Sequence, residues 1–98
     1  LQAAIVDVLA QKTVAAAKAY GVKTILLSGG VGANEALRNE LTKTAGCLGM
    51  KVYYPSKVLC TDNAAMIACA GHYRFIRGER SPWSLNAAPQ LRLGDPVA

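Results

Sequence analysis

An α/β fold with parallel strands is predicted by three features of this 98-residue sequence. Two short apolar runs with β-branched members, Val22–Leu27 and Lys51–Pro55, are each bounded by glycine or proline. Helical patterns precede, separate and follow them, giving the order α-β-turn-α-β-loop-α, the alternation of a layered α/β unit. Apolar residues make up 52% but aromatics only 6%; an alanine-rich chain of that kind suits helices packed on a sheet better than a β-sandwich. The length accommodates one small domain and is too short for two.

In the first segment, residues 1 to about 20, Leu1, Ile5, Val8, Leu9, Ala15, Ala16 and Ala19 fall largely on one helical face. Asp7, Gln11, Lys12 and Lys18 fall mostly elsewhere, and Gly21 suits a left-handed C-cap. Val22–Leu27 then reads as a buried strand. Ser28–Asn34 is a glycine-rich turn into a second helix over about 34–45, with Leu37 and Leu41 inward and Glu35, Arg38, Glu40 and Lys43 more exposed. Gly46 stops that helix. The second strand ends at Pro55, which cannot donate to a ladder. A loop over 56–61 leads to an alanine-rich third helix from about Asp62 to Ile76, in which Met66 and Phe75 are expected in the core. Periodicity holds through residues 1–78, and 79–98 read as an extended tail anchored by Trp83 and Leu85.

The formal charge of +5 permits contact with nucleic-acid phosphates, but no dense Lys/Arg run demands it. Cys47, Cys60 and Cys69 are odd in number and lack CxxC spacing, which suggests neither a disulfide framework nor a zinc ribbon and best fits a reducing cytoplasm. No apolar run approaches the ~20 residues of a membrane helix, and the first residues lack the features of a signal peptide. Because the chain opens at Leu1 inside a helical pattern, it is expected to be a piece of a longer protein.

Two segments carry candidate chemistry. In Gly29-Gly30-Val31-Gly32-Ala33-Asn34, glycines after a strand let backbone approach a ligand, and the following helix start offers free N–H groups to a phosphate or nucleoside. Asn34 can cap that helix or donate to a ribose or base. A tight βα turn with an asparagine cap and no ligand explains the same residues. The pattern is neither a Walker loop nor GxGxxG. In Cys60-Thr61-Asp62-Asn63, Thr61 or Asp62 can cap the next helix, the commoner use, while Asp62 can equally give a hard oxygen to a divalent metal. His72, the one histidine, lies ten residues beyond and receives no catalytic role. Arg74, Arg77 and Arg80 can meet RNA phosphates or form a solvated helix end.

Taken with Leu37-Arg38, Gly29–Asn34 resembles the GGVxAN…LR signature of the tRNA threonylcarbamoyladenosine transferase family, formerly called O-sialoglycoprotein endopeptidase or glycoprotease. Cys60-Thr61-Asp62-Asn63-Ala64-Ala65-Met66-Ile67-Ala68 resembles its CTDNxAMIA signature, and the likeness runs over nearly the whole chain. It implies that residues 1–78 are part of the second ribonuclease-H-like lobe of an actin-like, Hsp70-like ATPase fold, the chain being a C-terminal fragment. The implied reaction moves a threonylcarbamoyl group from threonylcarbamoyl-adenylate to the exocyclic amine of the adenosine beside the tRNA anticodon. By the same likeness Gly29, Gly30 and Asn34 would contact the adenylate or an ATP-type nucleotide. Asp62 would bind a divalent metal, iron favoured over zinc, able to polarise the carbamoyl group. Partner subunits of a modification complex are also implied.

The family's HxxxH metal pair has no counterpart in this sequence. The isolated chain is therefore expected to be inactive, and no catalytic residue is assigned. Two other classes are compatible with the glycine turn: a small-molecule kinase of the actin-like superfamily, and a non-catalytic nucleotide-binding or assembly module. Thr61-Asp62-Asn63 distinguishes the kinases, which carry their catalytic aspartate elsewhere. An HxxxH pair upstream would favour the enzyme over the module. Nothing in the sequence looks like a protease centre.

Overall fold

Helix α1, Gln2–Ala19, ends in Gly21 at φ 67, where Val22 N–H reaches Ala17 O at 3.0 Å. That left-handed residue closes the helix as its glycine predicts. The computed structural model describes residues 1–96, so the last two positions of the tail expected over 79–98, Val97 and Ala98, lie outside the described residues. After α1 come β1 (Thr24–Leu26), a 3₁₀ turn (Gly30–Ala33), α2 (Glu35–Gly46), β2 (Lys51–Tyr53), α3 (Lys57–Cys60) and α4 (Ala64–Ile76). The stretch expected as a plain loop over 56–61 thus contains a helical turn, and the last helix begins two residues later than its pattern suggests.

β1 and β2 are parallel neighbours, with Thr24 opposite Lys51, Ile25 opposite Val52 and Leu26 opposite Tyr53. The chain passes between them through α2, a βαβ crossover. α1 packs on α2, and Ala10, Val14, Ala17, Ile25, Leu41 and Ala45 form the core, joined by Leu27, Met50 and Val52. Ile25 is buried but Leu26 is 77% exposed, so β1 is half-buried and not the fully buried strand expected.

The buried face of α1 is Val6, Ala10, Val14 and Ala17, while Ile5, Val8 and Leu9 lie outside. This corrects the face read from the sequence. The helix is apolar nearly all round, so polar positions mark its core side weakly. Packing decides instead: Ala10 and Ala17 join Ala45 in the core, and small side chains let two helices approach more closely than leucines would.

Residues 1–63 form one compact unit and the chain from Ala64 onward a second. No residue of α4 is buried, which corrects the placing of Met66 and Phe75 in a core. Trp83 and Leu85 are likewise exposed and do not act as anchors. Their own unit offers no buried cluster among the described residues in which an indole could sit.

Candidate functional site

Both candidate loops leave the carboxyl ends of β1 and β2. In open parallel sheets that edge, between loops of adjacent strands, is where ligands bind. From β1 the chain runs through Leu27 and Ser28 to Gly29, whose φ 85 and ψ 170 belong to a region essentially restricted to glycine. Gly32 N–H then donates to Gly29 O at 2.9 Å and Asn34 N–H to Val31 O at 3.0 Å, closing the 3₁₀ turn. A Cβ added to Gly30 would meet no atom, so its bare backbone faces open space.

Asn34 is the N-cap of α2, its Oδ1 accepting from Leu37 N–H at 3.0 Å. Among the described residues no hydrogen bond engages its side-chain N–H₂. The cap and a free donor therefore coexist on one side chain. Asn34 also lines a groove of about 310 Å³, otherwise mostly apolar, with Leu1, Ile5, Leu9, Val31 and Leu37.

From β2 the chain passes Tyr54 and Pro55 into α3, which packs against the 3₁₀ turn. A 2.7 Å ion pair from Lys57 to Glu35 joins α3 to the start of α2. The hydrogen bond and charge of Lys57 hold the Glu35 carboxyl below its ordinary pKa. Past α3, Asn63 donates to Leu59 O at 3.3 Å and Thr61 O at 3.0 Å, fastening the backbone on either side of Asp62. Asp62 itself is exposed, and among the described residues nothing engages its carboxylate. Because α4 starts at Ala64, the cap position falls on Asn63 and not on Thr61 or Asp62, as the sequence suggested.

A divalent metal needs several donors. Among the described residues no group of three or more His, Cys, Asp or Glu side chains stands together. Asp62 is thus a single available oxygen donor, and the described residues do not form a metal centre by themselves. His72 is exposed on α4, edge-on to Tyr73 at 5.5 Å. Arg74 and Arg77 both pair with Glu79, at 2.6 and 2.8 Å, and Arg80 lies over the Phe75 ring.

The residue that sequence reasoning missed is Arg38. Placed on the exposed side of its helix by expectation, it is only 5% exposed. Its Nε donates to Gly32 O at 2.7 Å, and its Nη2 to Pro55 O at 2.9 Å and Cys60 Sγ at 3.1 Å. The guanidinium also lies 4.4 Å from the Tyr54 ring centroid. A signal existed: Arg38, Leu41 and Ala45 are spaced i, i+3, i+7, one helical face.

The molecule is therefore an α/β protein whose candidate residues gather at the carboxyl edge of a parallel sheet. Residues 1–69 match the family model described as tRNA N6-adenosine threonylcarbamoyltransferase, a span that holds both loops, and the chain belongs to that family. Curated relatives of the same name come from Moorella thermoacetica, 50% identical over 92 residues, and Anoxybacillus flavithermus, 52% identical over 93. A third, from Clostridioides difficile, is 50% identical over 92 residues. Each alignment takes in 94% of this chain and 27% of the relative, so the chain spans about a quarter of their length. Family membership sets aside the small-molecule kinase. Among the described residues no helix is long and apolar enough to cross a membrane.

Proposed function

We propose that the protein carrying this sequence transfers a threonylcarbamoyl group from threonylcarbamoyl-adenylate to the N6 amine of the adenosine next to the anticodon in tRNA. This chain supplies part of the second ribonuclease-H-like lobe of an actin-like fold, with residues 1–78 in the lobe and 79–98 as its tail. The observation that carries the reading is the family match across both loops, which leave adjacent parallel strands on one edge. In the reaction the amine nitrogen bonds to the carbamoyl carbon, the carbon–oxygen bond to the phosphate breaks, AMP leaves and the amine loses a proton.

Within that reaction Gly29 and Gly30 give the adenylate a surface without side chains, and the free Asn34 amide donates to its ribose or base. The apolar groove beside Asn34 suits the face of a purine. Asp62 serves as one ligand of a divalent ion, iron before zinc, with the other ligands outside this chain. The three cysteines are free thiols, as a cytoplasmic enzyme keeps them. Partner subunits complete the assembly on tRNA.

Elemental analysis of the anaerobically purified full-length protein tests the assignment of Asp62. Stoichiometric metal in the wild type and its loss in Asp62→Ala is the expected result; equal metal in both proteins removes Asp62 from the coordination sphere. The 98-residue chain alone should leave tRNA unmodified when given threonylcarbamoyl-adenylate, and turnover by it would contradict the split of the site.

A further inference from the structure

A buried guanidinium is expensive. Arginine stays ionised at any pH a protein tolerates, and a charge taken from water costs several kcal/mol unless bonds replace its hydration. Carboxylates are its usual partners, yet among the described residues none lies within ion-pair distance of Arg38, and its charge reaches Glu35 only as the weakest influence on that carboxyl. Its acceptors are two backbone carbonyls and a thiol, with an aromatic ring beneath. An apolar side chain of similar volume often stabilises a core as well or better. Burial alone therefore gives no reason for an arginine at this position.

The placing of its acceptors does. Gly32 lies in the 3₁₀ turn, two residues before Asn34. Cys60 ends α3, two residues before Asp62. Pro55 opens the segment that leads there. One rigid, planar fork thus holds the loop from β1 and the loop from β2 at both ends of the second, a geometry that a lysine's single ammonium does not reproduce.

We propose that Arg38 is a positioning residue for the transfer: it sets the separation between the turn bearing Asn34 and the segment bearing Asp62. This rests on the functional reading above, in which the first holds the adenylate and the second gives a metal ligand. Energetically, Arg38 couples the two binding events, and such coupling is reciprocal. It touches neither ligand. Loss of the fork leaves each loop able to bind by itself but lets their spacing drift, and a misplacement of about 1 Å can cost on the order of 10²-fold in rate.

The test uses the full-length protein with AMP as the nucleotide probe and Fe²⁺ as the metal under anaerobic conditions. AMP affinity is measured with and without the metal in wild type, Arg38→Met and Arg38→Lys. Cys60→Ala removes one acceptor and provides a gentler variant should Arg38→Met fail to fold. Melting curves set the folded fraction to which each value is scaled. The metal should shift AMP affinity several-fold in wild type, with the shift falling toward one in Arg38→Met and Arg38→Lys and part-way in Cys60→Ala. AMP affinity without metal should stay within about threefold, and kcat should drop about 10²-fold in the arginine variants.

A merely structural arginine would lower melting temperature while leaving the metal-induced shift intact, and that result overturns the proposal. So does restoration of the shift by lysine, which would make charge, not the fork, the active property. A wild type with no shift overturns it as well. Asn34→Ala and Asp62→Ala separate the two failures. If neither changes AMP or metal binding, the functional reading itself is wrong and Arg38 falls with it; if both do and the arginine variants keep the shift, only the Arg38 proposal fails.

Discussion

Asn34 caps α2 and is proposed to hold the adenylate, and substitution separates the two roles. Its oxygen caps α2 through Leu37 N–H, a contact whose loss typically costs about 1 kcal/mol. Its nitrogen is the donor assigned to the adenylate. Asn34→Asp keeps an acceptor and adds a negative charge, favoured at a helix start but unfavourable beside a phosphate. In the full-length protein, Asn34→Asp should therefore melt within a degree or two of wild type yet bind AMP at least ~10-fold more weakly, roughly 1.4 kcal/mol. Asn34→Ala should lose both stability and binding. If Asn34→Asp binds AMP like wild type, Asn34 is a cap alone. The cap was legible in the sequence, because an asparagine after a glycine turn and before an apolar helical run is a cap signature. Arg38 was not legible in the same way. A charged residue is assigned to solvent by default, and only the acceptors brought by two distant loops make its burial tolerable.

At the scale of elements, the α2–α3 junction depends on pH through Glu35. The Lys57 hydrogen bond, then its charge, lowers the Glu35 pKa from the ordinary 4.5. A carboxyl with a lowered folded-state pKa contributes stability that is fully present above its unfolded value and is lost as pH falls through the lower folded value. Glu35→Gln should therefore melt slightly below wild type near neutrality, with the gap closing as the pH falls below 4.5. Both side chains are about 60% exposed, so the gap should also shrink with added salt. Thermal melts across pH at two ionic strengths read this directly; a gap that widens in acid would contradict it. The sequence showed α2 and the parallel pairing of its flanking strands, since turn residues and β-branched runs are local signals. It hid α3, whose four residues are too few for a period to register, and the inward face of α1. There, apolar residues on every side left the choice to the small side chains that pack near Ala45.

At the scale of the whole molecule, the two units rest on different physics. The first has a core of side chains from α1, β1 and α2. The second has none among its described residues: α4 is apolar along much of its length, yet Met66, Ile67, Tyr73, Phe75 and Ile76 are all exposed. A helix of 13 residues without a packed face is marginal in water, because nucleation is costly and side-chain burial supplies most helical stability. A helix apolar around much of its circumference is one that a larger protein buries. Hydrogen exchange followed by mass spectrometry should thus divide the 98-residue chain near Ala64. Amides of α2 should exchange at least ~10²-fold more slowly than those of α4, the gap between a packed helix and one that opens at almost no cost. In the full-length protein, the same α4 amides should gain protection while those of α2 change little. Equal protection of α2 and α4 in the short chain would mean that α4 finds a packed face there after all, for instance by self-association through its exposed side chains, and dilution would then restore its rapid exchange.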